Sequence, residues 1–310
     1  MARSETVHAR HAIAPWAVAA IVVFVLVDAA LVWWALASVR SDEGSPQGEV
    51  LPTLPPVSTT PPVSAAPTET PALSPASAAL ARPTVVLAAL DASLAYRGVA
   101  GACPATVAAL EVTTDGGASW TAAFTAGLTD LQSLEPSDAD IVTMVARAPG
   151  SCAIARYRSF VQGADWEATD QLEPTWYLDG GQVVGPGGAS TPCGGAPVQV
   201  AAASATAAAV LCGSGAVVAT SDAGAAWADA GAPAGAVAIA SAPTGTLVAV
   251  AGDGCRGIRI SVLATDAAPG ACLEADLAPG TTVIDAASDG TVWAWAGGVL
   301  ARSTDGGATW

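Results

Sequence analysis

The 310-residue chain contains no lysine, and both of its histidines, His8 and His11, precede residue 13. Without lysine there is no Walker-type phosphate loop, and the motifs HExxH and GxSxG are also missing. The six cysteines, Cys103, Cys152, Cys193, Cys212, Cys255 and Cys272, show no CxxC spacing and no neighbouring histidine, which argues against zinc. Asp138-Ala-Asp140 is too short for a calcium loop. Positive charge is scarce as well: 11 arginines face 27 acidic residues, for a net charge of −16. From Arg82 onward 21 acidic residues stand against 8 arginines, which argues against nucleic acid or anionic lipid as partners of that part. Gly252-Asp-Gly-Cys-Arg-Gly257 matches a dinucleotide fingerprint in letters only, since the strand-like Ile258-Arg-Ile-Ser-Val-Leu263 follows where a helix is required. No metal and no cofactor are expected.

What is present divides into segments. Residues 1–12 carry Arg3 and Arg10, and residues 13–37 are apolar except for Asp28. That run matches the roughly 20 residues of a membrane-spanning helix, with a cytoplasmic N-terminus and Trp33 and Trp34 at the outer interface. The rival reading is a cleaved signal peptide, because Ala35-Leu-Ala37 resembles a cleavage site, although the run exceeds the usual apolar region of about 7–15 residues. Asp28 could pair with a partner helix, or simply be carried by its apolar neighbours. Residues 38–81 are rich in Pro, Ser, Thr and Ala, as in Leu54-Pro-Pro-Val-Ser-Thr-Thr-Pro-Pro-Val63, and read as a disordered stalk. Residues 82–310 form the head, long enough for a sizeable core.

Within the head one octet recurs. Its copies are Thr113-Thr-Asp-Gly-Gly-Ala-Ser-Trp120, Ser159-Phe-Val-Gln-Gly-Ala-Asp-Trp166, Thr220-Ser-Asp-Ala-Gly-Ala-Ala-Trp227 and Ser303-Thr-Asp-Gly-Gly-Ala-Thr-Trp310. A hydroxyl residue (Thr113, Ser159, Thr220, Ser303) is followed by Asp two positions on, Gly four on (Gly117, Gly163, Gly224, Gly307) and Trp seven on (Trp120, Trp166, Trp227, Trp310). Asp115, Asp222 and Asp305 hold the third place, which Val161 takes in the second copy. Asp accepts backbone N–H groups in a tight turn, Gly supplies left-handed backbone, and Trp is expected to pack back onto its own repeat. This is chemistry of stability, and recurrence every few tens of residues marks a repeat architecture.

The octet resembles the Asp-box, or bacterial neuraminidase repeat, of sialidase-type β-propellers and of photosystem II assembly factor-like propellers. The resemblance implies an all-β propeller, in a family that mixes enzymes with binding modules. Sialidase chemistry would need an arginine triad, a Tyr–Glu nucleophile and an Asp acid/base, commonly on six blades with an Arg-Ile-Pro near the start. Here only Arg82-Pro83 approaches that motif, and Arg97, Arg147, Arg156, Arg158, Arg256, Arg259 and Arg302 with Tyr96, Tyr157 and Tyr177 supply the remaining candidates. Arg156 and Arg158 alternate with Tyr157 on one strand, so the tyrosine points away from both.

Aligning the strands before positions 115, 161, 222, 266 and 305 predicts five four-stranded blades. The long interval holds an insertion, Glu173 to Pro197, whose Trp176 and Tyr177 form the candidate binding loop. The last blade lacks an outer strand, which chain near Pro83 is expected to supply unless the protein continues. In this register the cysteines favour Cys103–Cys152, Cys193–Cys212 and Cys255–Cys272, with other connectivities open. The expected function is a membrane-anchored, extracytoplasmic module that binds protein or cell-wall glycan. A sialidase-like hydrolase and an assembly factor for a membrane complex are the alternatives.

Overall fold

Short runs of β-branched and small apolar residues, separated by glycine-bearing turns, set the architecture. In the computed structural model, which describes residues 80–170, 175–252, 254–263 and 269–310, they form 22 strands in six antiparallel sheets. The expected span, Asp28 and most of the stalk lie outside the described residues, as does the degenerate octet at Asp266. No helix among the described residues is long and apolar enough to cross a membrane.

Blade I comprises β1 (Val85–Ala89), β2 (Ala95–Val99), β3 (Ala109–Thr113) and β4 (Thr121–Ala123). Blade II comprises β5 (Thr129–Pro136), β6 (Val142–Arg147), β7 (Ile154–Ser159) and β8 (Glu167–Ala168). Blade III comprises β9 (Tyr177–Asp179), β10 (Gln182–Gly185) and β11 (Gly188–Ser190). Blade IV comprises β12 (Pro197–Ala202), β13 (Ala208–Cys212), β14 (Val217–Thr220) and β15 (Ala228–Gly231). Blade V comprises β16 (Ala236–Ala242), β17 (Gly245–Gly252), β18 (Cys255–Val262) and β19 (Leu273–Glu274). Blade VI comprises β20 (Thr282–Ala286), β21 (Val292–Ala296) and β22 (Val299–Ser303). Strands pair in sequence order within each sheet. The innermost strands meet around a ring: β1 lies beside β5 and β20, β9 beside β5 and β12, and β16 beside β12 and β20. This is a six-bladed β-propeller.

Two expectations are corrected. There are six blades, not five, because the insertion after the second octet is itself blade III. Its inner strand β9 runs opposite to the inner strands of the other blades, since the β9–β10 hairpin turns at Gly180-Gly181 on the face where those strands begin. Chain near Pro83 also pairs with no strand of the last blade, which has three strands among the described residues. The Thr84 N–H instead donates to the carbonyl of Gly280 (2.9 Å), just ahead of the inner strand β20.

Apolar clusters fill the spaces between blades. Leu94, Tyr96 and Leu110 of blade I pack with Leu131, Val142 and Met144 of blade II. Trp176, Leu178 and Val183 join Val210 across III–IV. Leu211 and Val217 meet Ile239 and Val248 across IV–V. Leu247, Ile258 and Ile260 meet Ile284 and Val292 across V–VI, and Ala89 and Ala95 meet Ala287 and Trp293 across VI–I. At the II–III seam the links among the described residues are polar: Arg147 pairs with Asp179, and the Thr175 hydroxyl donates to Glu135.

Candidate functional site

The inner strands enclose an axial cavity of about 620 Å³. Its wall is built largely from apolar residues on β1, β5, β12, β16 and β20, punctuated by Gln132, Glu135, Gln199, Ser241 and Asp285. The octet turns and the first hairpins of the blades share one face, linked by bonds such as Ala223 N–H to Thr206 O (2.8 Å) and Gln162 N–H to Asp140 O (3.0 Å). The inner strands of all blades except III begin on the opposite face, where Cys103 and Cys152 also lie. We call these the turn face and the disulfide face.

Arg82 and Pro83 stand at the disulfide-face end of the cavity. The Arg82 guanidinium donates to Gln132 Oε1 and to the carbonyl of Leu178 (2.9 Å), reaching the polar II–III seam. There Arg147 bonds Asp130 (2.9 Å), the carbonyl of Cys152 (2.8 Å) and Asp179. Burial pushes Arg82 down from its ordinary value, and Arg147 adds to this, while Asp130 and Asp179 pull the other way.

Asp285 and Glu135 line the cavity towards the turn face. Asp285 Oδ2 accepts the Ala89 N–H at 2.7 Å, tying blade VI to blade I. Part of its surface faces the cavity, and the rest is enclosed where blades VI and I meet. Burial raises its pKa to about 6, opposed by the N–H groups of Ala89 and Ala286 and reinforced by Glu135.

The octet carboxylates are committed inside their own turns. Asp115 accepts from the Thr113 hydroxyl (2.8 Å), the Ser119 N–H (2.9 Å) and the Ser119 hydroxyl (2.6 Å). Asp305 repeats this with Ser303, Thr309 N–H and the Thr309 hydroxyl, and Asp222 with Thr220 and Ala226 N–H. Bonding to Ser119 holds Asp115 at about 2, bonding to Ser303 holds Asp305 at about 2, and the Ala226 N–H lowers Asp222. The buried hydroxyl is the hub: Thr113, Ser159, Thr220 and Ser303 each accept the N–H of Gly117, Gly163, Gly224 and Gly307. With Val161 in the third place, the second turn keeps that bond, and Asp165 accepts the Trp166 N–H instead (2.9 Å).

The octet tryptophans fold back over their own turns, as expected, the Trp120 indole donating to Gly117 O (3.2 Å) and the rings of Trp120, Trp166 and Trp227 lying over Gly117, Gly163 and Gly224, and they also reach the preceding blade. Trp120 meets Trp293 of blade VI edge-on at 6.4 Å, and Trp227 meets Trp176 of blade III at 5.9 Å. The Trp166 indole donates to Phe124 O of blade I, and that of Trp310 to Ala271 O of blade V (3.1 Å). Each octet therefore fastens its blade to the one before it. Trp176 and Tyr177, expected on a loop, are 3% and 9% exposed. The Trp176 indole donates to Ser204 O (2.9 Å), and its ring covers Gly185 and Gly224.

Disulfides join Cys103–Cys152, Cys193–Cys212 and Cys255–Cys272, the pairs that the blade register favours. The first links blades I and II, the second ties the III–IV connection to blade IV, and the third lies within blade V. Several candidate arginines for a carboxylate clamp have separate partners. Arg97 pairs with Glu111, Arg147 with Asp130 and Asp179, and Arg256 with Asp276. Arg259 donates to Gly270 O and Arg302 to Ala92 O. Gly252–Gly257 spans the β17–β18 hairpin. Sequence reasoning missed the axial roles of Arg82 and Asp285, which no local motif marks.

No protein-family model matches the chain, and no curated protein matches it. Its fold is similar to a solved structure of YCF48 bound to D1 peptide, at 16% identity and TM-score 0.29, over 76% of this chain and 66% of that one. It is also similar to the GH74 enzyme of Niastella koreensis, at 17% identity and TM-score 0.27, over 72% of this chain and 30% of the enzyme. The WD40 β-propeller domain of Doa1 aligns at 11% identity and TM-score 0.38, over 72% of this chain and 92% of the domain. The chain thus spans under two thirds of the first two structures, and the propeller assignment rests on its own sheets.

Proposed function

We propose that this is a membrane-anchored, extracytoplasmic propeller of Asp-box type that binds a protein or cell-wall glycan ligand through the turn-face end of its axial cavity, without transforming it. The carrying observation is the cavity itself. About 620 Å³ of space is walled mainly by apolar residues, among which separate blades contribute hydroxyl, amide and carboxyl groups. Such a concave site with a few convergent polar groups is the ordinary form of a recognition pocket. Three disulfides favour an oxidising compartment. Residues 13–37 then serve as the anchor and the proline-rich stretch as a spacer.

The hydrolase reading is less well supported. Six blades remove the objection from blade number, but Arg97, Arg147, Arg256 and Arg302 stand in blades I, II, V and VI, each held by its own partners. The test uses the full chain in detergent against arrays of cell-wall glycan fragments and of peptides, alongside fluorogenic sialosides. Binding without turnover, lost when Ser241→Phe fills the cavity, supports the proposal. Turnover of a sialoside overturns it.

A further inference from the structure

Among the described residues blade VI has three strands, and none of them pairs with a strand of blade I. The chain leading into β1 is placed to join the two blades another way. Leu80 packs into the IV–V cluster, and its N–H donates to Gly213 O of blade IV (3.3 Å). Two residues later the Arg82 guanidinium reaches Gln132 of blade II and Leu178 O of blade III (2.9 Å). Two residues after that, the N–H and hydroxyl of Thr84 meet Gly280 O of blade VI (2.9 and 3.2 Å). The carbonyl of Thr84 accepts the Ala100 N–H of blade I (2.9 Å). Every blade is thus touched within five residues, and Arg82 and Pro83 lie on the cavity wall at this end.

We propose that Leu80–Thr84 is a clasp: it closes the propeller ring across the disulfide-face mouth and floors the axial cavity, so that the cavity admits ligand from the turn face. A ring opens at its weakest seam, and each blade can move outward only by breaking its contact with whatever holds the hub. One segment bonded to blades I, II, III, IV and VI and packed on the IV–V cluster therefore couples the VI–I seam to residues that do not touch it. Neither Leu80 nor the Arg82 side chain bonds blade VI, so their effect on that seam must pass through the clasp. The chemistry suits this role. Arg82 Nη2 donates to two blades at once, and the apolar Leu80 is held by packing on the cluster between two others.

The test is hydrogen exchange of the full-length protein in detergent, read at the Ala89 amide, which bonds Asp285 across the VI–I seam. Leu80→Ala and Arg82→Met are expected to speed exchange at Ala89 at least tenfold while the amides of the β10–β11 pair, which the segment does not touch, keep their protection. Leu80→Gly and Arg82→Ala should do the same more strongly. Changes confined to blades IV and V for Leu80, and to blades II and III for Arg82, would overturn the clasp and leave only local contacts. A uniform rise over all strands would also overturn it, as simple loss of stability.

Discussion

The indole N–H of Trp293 donates to the carbonyl of Asp91 at 3.0 Å, across 202 residues of sequence. Around this bond the VI–I seam is assembled. Trp120 stands edge-on to the Trp293 ring, Arg302 lies over that ring and donates to Ala92 O, and the Ala92 N–H donates to Asp289 (3.2 Å). Among the described residues this seam is held by these side chains together with the backbone bond from Thr84 N–H to Gly280 O.

Trp293 is 1% exposed, so truncation leaves a large void and unpairs the seam. Trp293→Ala should destabilise the head by about 3–5 kcal/mol, measured by denaturant unfolding. A loss under about 1 kcal/mol would show that the seam contributes little.

Restoring the defective octet should stabilise. Val161 is 51% exposed where the other turns have Asp. Val161→Asp places an acceptor beside the Ser159 hydroxyl and the Asp165 N–H, a gain of about 0.5–1.5 kcal/mol. The converse changes, Asp115→Ala and Asp305→Ala, should lower Tm, because each removes the acceptor for a backbone N–H and two hydroxyls. An unchanged or lower Tm for Val161→Asp would show that the second turn has settled into a geometry that cannot use the carboxylate.

The carboxylates give the pH dependence two opposite components. Asp115 and Asp305, held at about 2, stabilise fully above the ordinary value of 3.8, and that contribution is lost as pH falls towards 2. Asp285 is raised to about 6, so the native state favours its protonated form, and its contribution is greatest below 3.8 and declines as pH rises through 6. That difference corresponds to on the order of 2–3 kcal/mol. Asp285→Asn, which can still accept the Ala89 N–H, should therefore flatten the decline between pH 4 and 6 and leave the acid limb unchanged. An unaltered profile would show that Asp285 ionises freely.

Disulfide loss should follow loop size. The Cys103–Cys152 bridge closes 49 residues and should contribute about 4 kcal/mol, against about 3 kcal/mol for the bridges closing 19 and 17. Paired Cys→Ser variants compared in denaturant test that order. Free thiols at all six positions in protein taken from cells would contradict the extracytoplasmic reading.

Much of this architecture is legible in the sequence, because a local motif states it. The octets announce their turns, and the alternating strands give the register that pairs the cysteines. Blade III escaped because it carries no octet, although Tyr177-Leu178-Asp179-Gly180-Gly181-Gln182-Val183-Val184 has the form of a hairpin, with a glycine turn between apolar pairs. Trp176 misled for a related reason. It packs as the partner of Trp227 and also lines the axial cavity, a double placement that its position in the sequence does not state. The axial site was least legible, since Arg82, Glu135 and Asp285 are gathered by ring closure and no spacing records that.

The central claim is that the axial cavity is where this protein binds, and filling it is the direct test. Wild-type chain and Ser241→Phe, matched for Tm, are compared on the same glycan and peptide arrays. The account predicts that ligands retained by the wild type are lost, by at least tenfold in Kd, when the phenyl ring occupies the cavity. Undiminished binding by a folded Ser241→Phe protein would contradict it and move the site to the outer surface of the blades.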